Sequence, residues 1–252
     1  MSFDVAAEAY DRFMGRYAVP LAPRFADLAG VVAGRRVVDV GCGPGALTSE
    51  LVARVGPDRV TAVDPSETFV VAARTRLPGV IVERAPAEHL PFEDDSFDAA
   101  LAQLVVHFMS DPVAGLREMA RVTRPDGVVA ACVWDFAGGH APVSVYWESA
   151  RELDGDVVDE SGLAGARETQ LTELLVASGL REVVETALTV SVQYADFDEW
   201  WEPYTLGVGP AGQHAARLDA DALARVREAC RRRLPAPPFA ITARAWAARG
   251  LA

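Results

Sequence analysis

The sequence contains no long apolar segment and no leader pattern at its start. No stretch approaches the ~18 consecutive apolar residues that a transmembrane helix needs. The first residues, MSFDVAAEAYDRFMGRY, lack the basic start and the following apolar run of a secretory signal peptide. We therefore expect neither a membrane span nor a membrane partner.

Cysteine is scarce, with three residues in a chain of 252. Cys42, Cys132 and Cys230 are odd in number, far apart and outside any CxxC pair. This pattern argues against a disulfide framework and against a zinc site. We expect no bound metal and a protein of the reducing cytoplasm.

Positive charge is in the minority, with 24 lysine and arginine residues against 36 aspartate and glutamate residues and a net charge of −12. Proteins that neutralise the phosphates of a nucleic acid usually present a basic surface. We therefore expect no nucleic-acid partner. The one dense basic patch, Arg231 to Arg233, is better explained as a helix C-terminus, where cations are favourable.

Apolar residues are plentiful, since half of the chain is hydrophobic and the mean hydropathy is +0.11. A chain of this length and composition suits one large α/β domain. Between Arg35 and Trp134, apolar runs alternate with amphipathic stretches, which predicts a parallel sheet with helices on both faces. The predicted strands are 35–40, 59–64, 80–85, 96–104 and 128–134, with a turn at 124–127, and the predicted helices are 46–55, 66–77 and 111–122.

After Trp134 the pattern becomes less regular. We predict a helix at 168–180, a strand at 181–194, an irregular aromatic segment at 197–218, a helix at 219–234 and a closing strand at 239–250. Segments 136–165 and 196–235 are interpreted as insertions that form a cap over the site.

A strand that runs directly into a glycine turn is the main functional signal. In VVDVGCGPG, residues 37–45, Gly41 and Gly43 let the backbone approach a ligand, and the next helix offers free N–H groups. Asp64 ends the second strand, where a carboxylate accepts hydrogen bonds from ribose hydroxyls. Taken separately, the glycine segment is explained by a tight turn without a ligand, and Asp64 by an ordinary strand end or helix cap. Together they predict an adenosine-containing cofactor and leave a nicotinamide dinucleotide open, because Ala46 is tolerated at the third glycine position.

Three longer segments carry a resemblance that separates these cofactors. VVDVGCGPGALTSEL, VTAVDPSETFVVAAR and APAEHLPFEDDSFDAALAQLVVHFMSDPVAGLREMARVTRPDGVV look like segments of class I S-adenosylmethionine-dependent methyltransferases, over about 35–135. The most similar branch acts on small molecules and includes quinone-biosynthesis methyltransferases. The resemblance implies a Rossmann-like, doubly wound α/β fold whose seven-stranded sheet is mostly parallel with an antiparallel last strand.

The same resemblance implies a cofactor and a division of the chain. The cofactor is S-adenosyl-L-methionine, and S-adenosyl-L-homocysteine is the product. Residues 1–30 are expected to form a helical lid, and 35–135 the cofactor-binding core. The residues expected to contact the cofactor are Arg16, Asp39, Gly41, Cys42, Gly43, Asp64, Pro65, Phe69, Ala87, Glu88 and Gln103.

Within that set the family assigns Asp39 to Gly43 to the methionine part, Asp64 to the ribose, and Pro65 and Phe69 to the adenine. Arg16 would pair with the cofactor carboxylate, since arginine binds carboxylates in a forked geometry. Phe69 is explained about equally well by packing in the core. Arg16 is explained nearly as well by a position on a solvated helix.

The sequence departs from the family at Pro86, where an acid commonly contacts the adenine. The usual side-chain contact to the adenine is therefore absent, or it is replaced by a contact from the backbone or from Glu88. Gln103 matches a position on the methyl side of the pocket, although a hydrogen bond in the core also explains a polar residue there.

Two histidines are candidate bases toward the acceptor. His107 follows the fourth strand, but a lone histidine in an apolar stretch is more often structural, and that interpretation is favoured. His140 follows two glycines and would be mobile. Aromatic residues of the cap predict an apolar or ring-bearing small-molecule acceptor, unless Trp200 and Trp201 only anchor the insertion; they are Trp134, Tyr146, Trp147, Trp200, Trp201 and Tyr204.

Methyl transfer from a sulfonium is an in-line displacement that depends mainly on positioning. The sequence shows no Ser/His/Asp set, no metal cluster and no paired catalytic carboxylates, which fits this chemistry. The attacked atom (O, N or C) and the choice between monomer and homodimer stay open. Two other functions also stay open: a nucleotide-dependent oxidoreductase, and a non-catalytic S-adenosylmethionine-binding protein, which the departure at Pro86 favours.

Overall fold

The computed structural model describes residues 7–252, which fold around a seven-stranded sheet. The strands are β1 Val37–Val40, β2 Val60–Asp64, β3 Ile81–Arg84, β4 Phe97–Gln103, β5 Thr123–Trp134, β6 Arg181–Tyr194 and β7 Phe239–Leu251. Their spatial order is β3-β2-β1-β4-β5-β7-β6. The first five strands of this order run parallel, and β7 is antiparallel to both of its neighbours. The expected Rossmann-like α/β fold is confirmed, with a mixed sheet.

Ten α-helices of the described chain surround the sheet. They are α1 Ala7–Tyr10, α2 Arg16–Leu28, α3 Ala46–Val55, α4 Glu67–Arg76, α5 Pro112–Val122, α6 Ser144–Leu153, α7 Gln170–Ala177, α8 Phe197–Trp201, α9 Gly209–Arg217 and α10 Ala220–Arg233. Among residues 7–252, no helix is long and apolar enough to cross a membrane.

Both faces of the sheet are buried, as an apolar strand such as β1 predicts. Ala100 and Leu101 are neighbours on β4 and point to opposite faces. Ala100 belongs to a core cluster with Leu116 of α5 and Leu175 of α7. Leu101 belongs to a second cluster with Phe25 of α2. The helices therefore cover both faces of the sheet, as the alternating pattern predicted.

Helix α2 continues a helical run that begins at Ala7 and contains a π-helical segment at Asp11–Gly15. It packs against α3 and β6. The first six residues of the predicted lid lie outside the described residues, and its role as a lid stays a prediction. Helices α6, α8, α9 and α10 fall within the predicted insertions at 136–165 and 196–235, whose role as a cap also stays a prediction.

The segment 197–218, predicted as irregular, is mostly helical, which corrects that prediction. It folds as α8, a 3-10 turn at Glu202–Leu206 and α9. Asp196 caps α8 by accepting a hydrogen bond from the Glu199 N–H at 2.8 Å. Gly207 is left-handed at φ 71° and separates the pieces. Each helix is shorter than the window of about 11 residues in which an apolar period becomes visible.

The turn predicted at 124–127 is also wrong, because these residues lie within β5. Asp126 has a φ of 61°, but its N–H donates to the carbonyl of Ala252 at 3.2 Å. The Ala252 N–H donates in return to the Gly127 carbonyl at 3.0 Å. These contacts keep the distorted segment in the sheet.

Leu116 of α5 is fully buried. The substitution Leu116→Ala should therefore lower the free energy of unfolding by about 2–5 kcal/mol. The matched control is Leu153→Ala, because Leu153 is a helical leucine whose side chain is exposed. We expect a loss of about 0.5 kcal/mol or less there. Urea denaturation measures both, and similar losses in the two variants would contradict the assignment of the core.

Candidate functional site

Two adjoining cavities lie at the carboxyl ends of the parallel strands, where doubly wound sheets bind ligands. The first, here called the glycine-loop cavity, has a volume of about 960 Å³, part of it open to solvent. Its lining includes six of the residues predicted to contact a cofactor: Gly41, Gly43, Asp64, Pro65, Phe69 and Gln103.

The glycine loop between β1 and α3 is held against the sheet by its own backbone. The N–H groups of Gly41 and Cys42 donate to the Val63 carbonyl at 2.8 and 2.9 Å. Gly41 has a left-handed φ of 74°, and a Cβ there would lie 2.5 Å from a methyl carbon of Val105. Gly43 is also left-handed at φ 53°, and a Cβ there would meet nothing within 4 Å. Gly41 is therefore required for packing, while Gly43 leaves open space.

Asp64 joins the loop to the end of β2. One carboxylate oxygen accepts from the Gly43 N–H at 2.8 Å, and the other accepts from the Ser66 N–H at 2.9 Å. Burial raises the pKa of Asp64, and the two backbone hydrogen bonds oppose that rise. Each oxygen keeps a second lone pair, so the carboxylate has acceptor capacity left for a ligand.

Asp39 of β1 is fully buried and does not line the cavity. Its Oδ2 accepts from the Thr48 hydroxyl at 2.6 Å, whereas its Oδ1 has no partner in the described part of the chain. Burial raises the pKa of Asp39 to about 7, although the hydrogen bond from Thr48 opposes the rise. The side chain therefore joins β1 to α3 within the core.

Gln103 ends β4 in the wall of the glycine-loop cavity, and Leu104, which follows it, lines both cavities. Gln103 donates from Nε2 to the Ala18 carbonyl of α2 at 3.1 Å, and its Oε1 has no partner among the described residues. Leu104 has a left-handed φ of 62°, which is uncommon for a residue other than glycine. Such strain is found most often at functional sites.

The second cavity, here called the aromatic cavity, has a volume of about 440 Å³, part of it open to solvent. It shares Tyr10, Leu104 and Phe108 with the glycine-loop cavity. The rest of its wall includes Phe13, Met14, His107, Trp134, Phe136 and Glu160. It is therefore an apolar, ring-lined space directly beside the glycine loop.

His107 is the buried polar residue on the β4 side of this cavity. Its ring lies against Phe108 at a centroid distance of 3.9 Å and against Phe136 at 5.5 Å. Burial lowers the pKa of His107 to about 3, so the imidazole is neutral at physiological pH. Its Nδ1 has no partner in the described residues.

Glu160 lies in the wall of the aromatic cavity, in a 3-10 turn at Glu160–Gly162. Its carboxylate accepts a hydrogen bond from the indole N–H of Trp147. Burial raises the pKa of Glu160 to about 7, while the Trp147 hydrogen bond opposes the rise.

Comparison with known proteins places this arrangement in a family. Residues 38–131 match a family described as a methyltransferase domain. A demethylmenaquinone methyltransferase of Clavibacter sepedonicus is 30% identical over 201 residues, 73% of this chain and 78% of the relative. The chain belongs to the class I S-adenosylmethionine-dependent methyltransferases.

Two further comparisons define how far the likeness extends. An uncharacterised methyltransferase of Mycobacterium tuberculosis is 40% identical over 135 residues, 54% of this chain, and the match spans only about half (52%) of that relative. A putative methyltransferase from an antibiotic biosynthesis pathway of Anabaena variabilis has the same fold, with 18% identity, a TM-score of 0.60, and coverage of 91% of this chain and 96% of that chain. The structural match supports the fold alone.

Several predicted contacts of this methyltransferase lie away from the glycine-loop cavity. The Arg16 guanidinium pairs with Glu199 at 2.5 Å and lies over the Tyr194 ring at 4.5 Å from its centroid. Glu88 instead accepts from the N–H groups of Ser110 and Asp111, at 2.7 and 3.2 Å. Neither Arg16 nor Glu88 therefore lines the glycine-loop cavity, where the cofactor contacts were predicted.

Cys42 and Ala87 are buried and do not line the cavity. His140 lies outside both cavities, on the surface beside Asp135 at 3.0 Å and Arg244 at 2.9 Å. This position does not support a role as a base. Of the two predicted histidines, the structure brings only His107 to a cavity.

The aromatic residues that the sequence analysis assigned to the predicted cap pack mostly against one another. The Tyr146 and Tyr204 rings stack at 4.9 Å, and Trp200 lies 4.9 Å from Tyr204. Trp134 alone among the predicted aromatics lines the aromatic cavity. Its indole N–H donates to the Met14 sulfur at 3.2 Å, which joins β5 to the N-terminal helical run.

Sequence reasoning missed Glu160 and Leu104, and although it expected the N-terminal run to form a lid, it did not predict that Phe13 and Met14 would line a cavity. Glu160 sits in an acidic loop where no local pattern distinguishes it from its neighbours. Leu104 is distinguished only by its backbone angle. Tyr10 lines both cavities because the helical run crosses them, which local sequence does not show.

The glycine-loop cavity fits S-adenosylmethionine on three features of this chain. The loop leaves open space at Gly43, and the buried Gln103 Oε1 faces no donor in the described residues. Asp64 supplies acceptor oxygens for a ribose. Within residues 7–252, no cluster of three or more metal-ligating side chains occurs.

Asp39→Asn should stabilise the protein increasingly as the pH rises from about 4 to 7. The folded wild type holds a proton with a pKa of about 7 that the unfolded chain releases near pH 4. Its stability therefore falls over this range, by on the order of 3 kcal/mol, and the amide variant lacks that loss. Urea denaturation of both proteins between pH 4.5 and 8 gives the difference.

The comparison isolates Asp39 because Glu160, which also has a raised pKa, is present in both proteins. A difference in unfolding free energy that stays constant with pH would contradict the buried, protonated state of Asp39.

Proposed function

We propose that this methyltransferase binds S-adenosyl-L-methionine in the glycine-loop cavity and transfers its methyl group to a small molecule in the aromatic cavity. The observation that carries the proposal is the wall that the two cavities share at Tyr10, Leu104 and Phe108. A methyl donor and an acceptor in the two cavities would be neighbours, and in-line transfer would require the shared side chains to leave an opening between them.

The roles of individual residues follow from their contacts. Asp64 accepts hydrogen bonds from the ribose, since its carboxylate is already fixed by the N–H groups of Gly43 and Ser66. Pro65 and Phe69 supply apolar surface for the adenine. The cofactor brings a sulfonium whose methyl group is already activated for transfer. The protein mainly has to position the acceptor and exclude water.

The aromatic cavity supports an apolar or ring-bearing acceptor. Its wall is built from rings, and His107 offers a neutral imidazole. A pKa of about 3 makes His107 a weak base, so its role is to orient the acceptor by a hydrogen bond. The Tyr10 ring, in contact with Phe69 at 5.4 Å, closes both cavities on the side of the N-terminal run.

The relatives described above support neither the oxidoreductase nor the non-catalytic alternative. The demethylmenaquinone methyltransferase and the mycobacterial relative are both named as methyltransferases. The departure at Pro86 is compatible with transfer, since Pro65 and Phe69 line the cavity without an acid at position 86.

Thermal unfolding with S-adenosylmethionine, S-adenosylhomocysteine and NADH in parallel tests the cofactor. A ligand at about 100 times its Kd should add roughly 2.7 kcal/mol to the native state. We expect a clear rise in Tm with both sulfur compounds and none with NADH. Stabilisation by NADH alone would overturn the proposal, and a rise without turnover on a panel of ring-bearing acceptors would favour the non-catalytic alternative.

Asp64→Asn should weaken the binding of S-adenosylhomocysteine by about tenfold or more, because it removes the charge from the acceptor of the ribose hydrogen bonds. Calorimetric titration measures the Kd. Asp58→Asn is the matched control, since Asp58 is exposed before β2 and lines neither cavity. Equal affinities in the wild type and Asp64→Asn would remove Asp64 from the binding site.

A further inference from the structure

We propose that the acceptor is an apolar ring compound that carries an amine, and that Glu160 holds the ammonium group of this compound within the aromatic cavity. The inference rests on the proposed function, because it names the acceptor class for the same site. It concerns recognition and leaves open which atom of the acceptor receives the methyl group.

Glu160 is placed where a ligand in the aromatic cavity meets it. It lines the cavity, yet only 5% of the residue surface is exposed. The hydrogen bond from the Trp147 indole fixes the carboxylate in its position. Trp147 belongs to α6. Its ring contacts the rings of Tyr146 and His214, with centroid distances of 5.3 Å in both cases. The carboxylate is therefore held by a supported side chain and not by a mobile loop end.

Glu160 has no cation beside it in the described chain. Among residues 7–252, no arginine or histidine pairs with Glu160, and Arg151, the nearest candidate on α6, is paired with Asp159. The lining of the aromatic cavity contains no arginine, and His107 is neutral there. A buried carboxylate without a counter-charge is costly, and a cation brought by a ligand would remove that cost.

The rings around the cavity favour the same class of ligand. Tyr10, Phe13, Phe108, Trp134 and Phe136 line it. Aromatic faces attract an ammonium group through their quadrupoles and also bury the apolar body of a ring compound. A wall of rings with one carboxylate and no cation is complementary to an arylalkylamine.

His107 supplies a second, independent sign that this cavity takes a ligand. It is more than nine-tenths buried, lines the cavity, and keeps its Nδ1 without a partner in the described residues. Buried polar atoms are rarely left unsatisfied. A polar group of the acceptor would complete the hydrogen bonding of this imidazole while Glu160 holds the ammonium group.

The test compares 2-phenylethylamine with 2-phenylethanol, which share the ring and chain and differ in the charged group. Their Kd values are measured by calorimetry on the full chain, with and without saturating S-adenosylhomocysteine. We expect the amine to bind the wild type about tenfold or more tightly than the alcohol. In Glu160→Gln the affinity for the amine should fall by a similar factor, and the affinity for the alcohol should change by less than about twofold.

Glu148→Gln is the matched control, because Glu148 follows Trp147 on the same helix but is exposed and lies outside the cavity. It should keep the preference of the wild type for the amine. Circular dichroism and thermal unfolding check that Glu160→Gln is folded, and the comparison of amine and alcohol on the wild type stands without any variant.

Equal binding of amine and alcohol by the wild type, no detectable binding of the amine, or a preference that survives in Glu160→Gln would each overturn the inference. If S-adenosylhomocysteine binds and the amine preference is absent, the inference fails and the proposed function stands. If the preference depends on Glu160 while no sulfur cofactor binds, the amine-binding site stands, but the proposed function fails and with it the role of the amine as methyl acceptor.

Discussion

The hydrogen bond from the Gly43 N–H to the Asp64 carboxylate joins the two signals on which the site is built. It fixes the glycine loop against the end of β2 and at the same time holds the acid in the cavity wall. The loop can come this close only because Gly41 has no side chain to meet Val105. A small change in either residue would therefore move both the backbone and the carboxylate, and would change the shape of the glycine-loop cavity.

The aromatic cavity depends on contacts between segments that are distant in the sequence. Gln103 on β4 holds the Ala18 carbonyl, and Trp134 on β5 holds the Met14 sulfur, so the N-terminal run is fixed across both strands. The Tyr17 and Tyr194 hydroxyls, 2.8 Å apart, join the same run to β6. These contacts bring Phe13 and Met14 of the run and Glu160 of the segment 136–165 into the wall of one cavity.

Local patterns predicted most of the parallel half of the fold because each element there carries its own signal. The apolar run of β1 and the cap at Asp111 are found where the sequence places them, and outside the parallel half so is the strand at 181–194. The helices between 197 and 218 were missed because they are short and divided at Gly207. The turn predicted at 124–127 failed because pairing with the chain end keeps Asp126 in the sheet.

By itself the sequence determined the α/β architecture, the glycine loop and the acid at the end of β2, since these follow from apolar periodicity and from residues at fixed spacing along one strand-turn-helix unit. Only the tertiary structure decided which side chains meet across the cavities. Arg16 forms an ion pair with Glu199, and Glu88 accepts a hydrogen bond from the Ser110 N–H just before α5. Glu160 was brought into the wall of the aromatic cavity from a 3-10 turn in the segment 136–165. The reason is that a charged side chain takes its partner from whatever the fold brings within a few ångströms, and sequence separation does not record that distance.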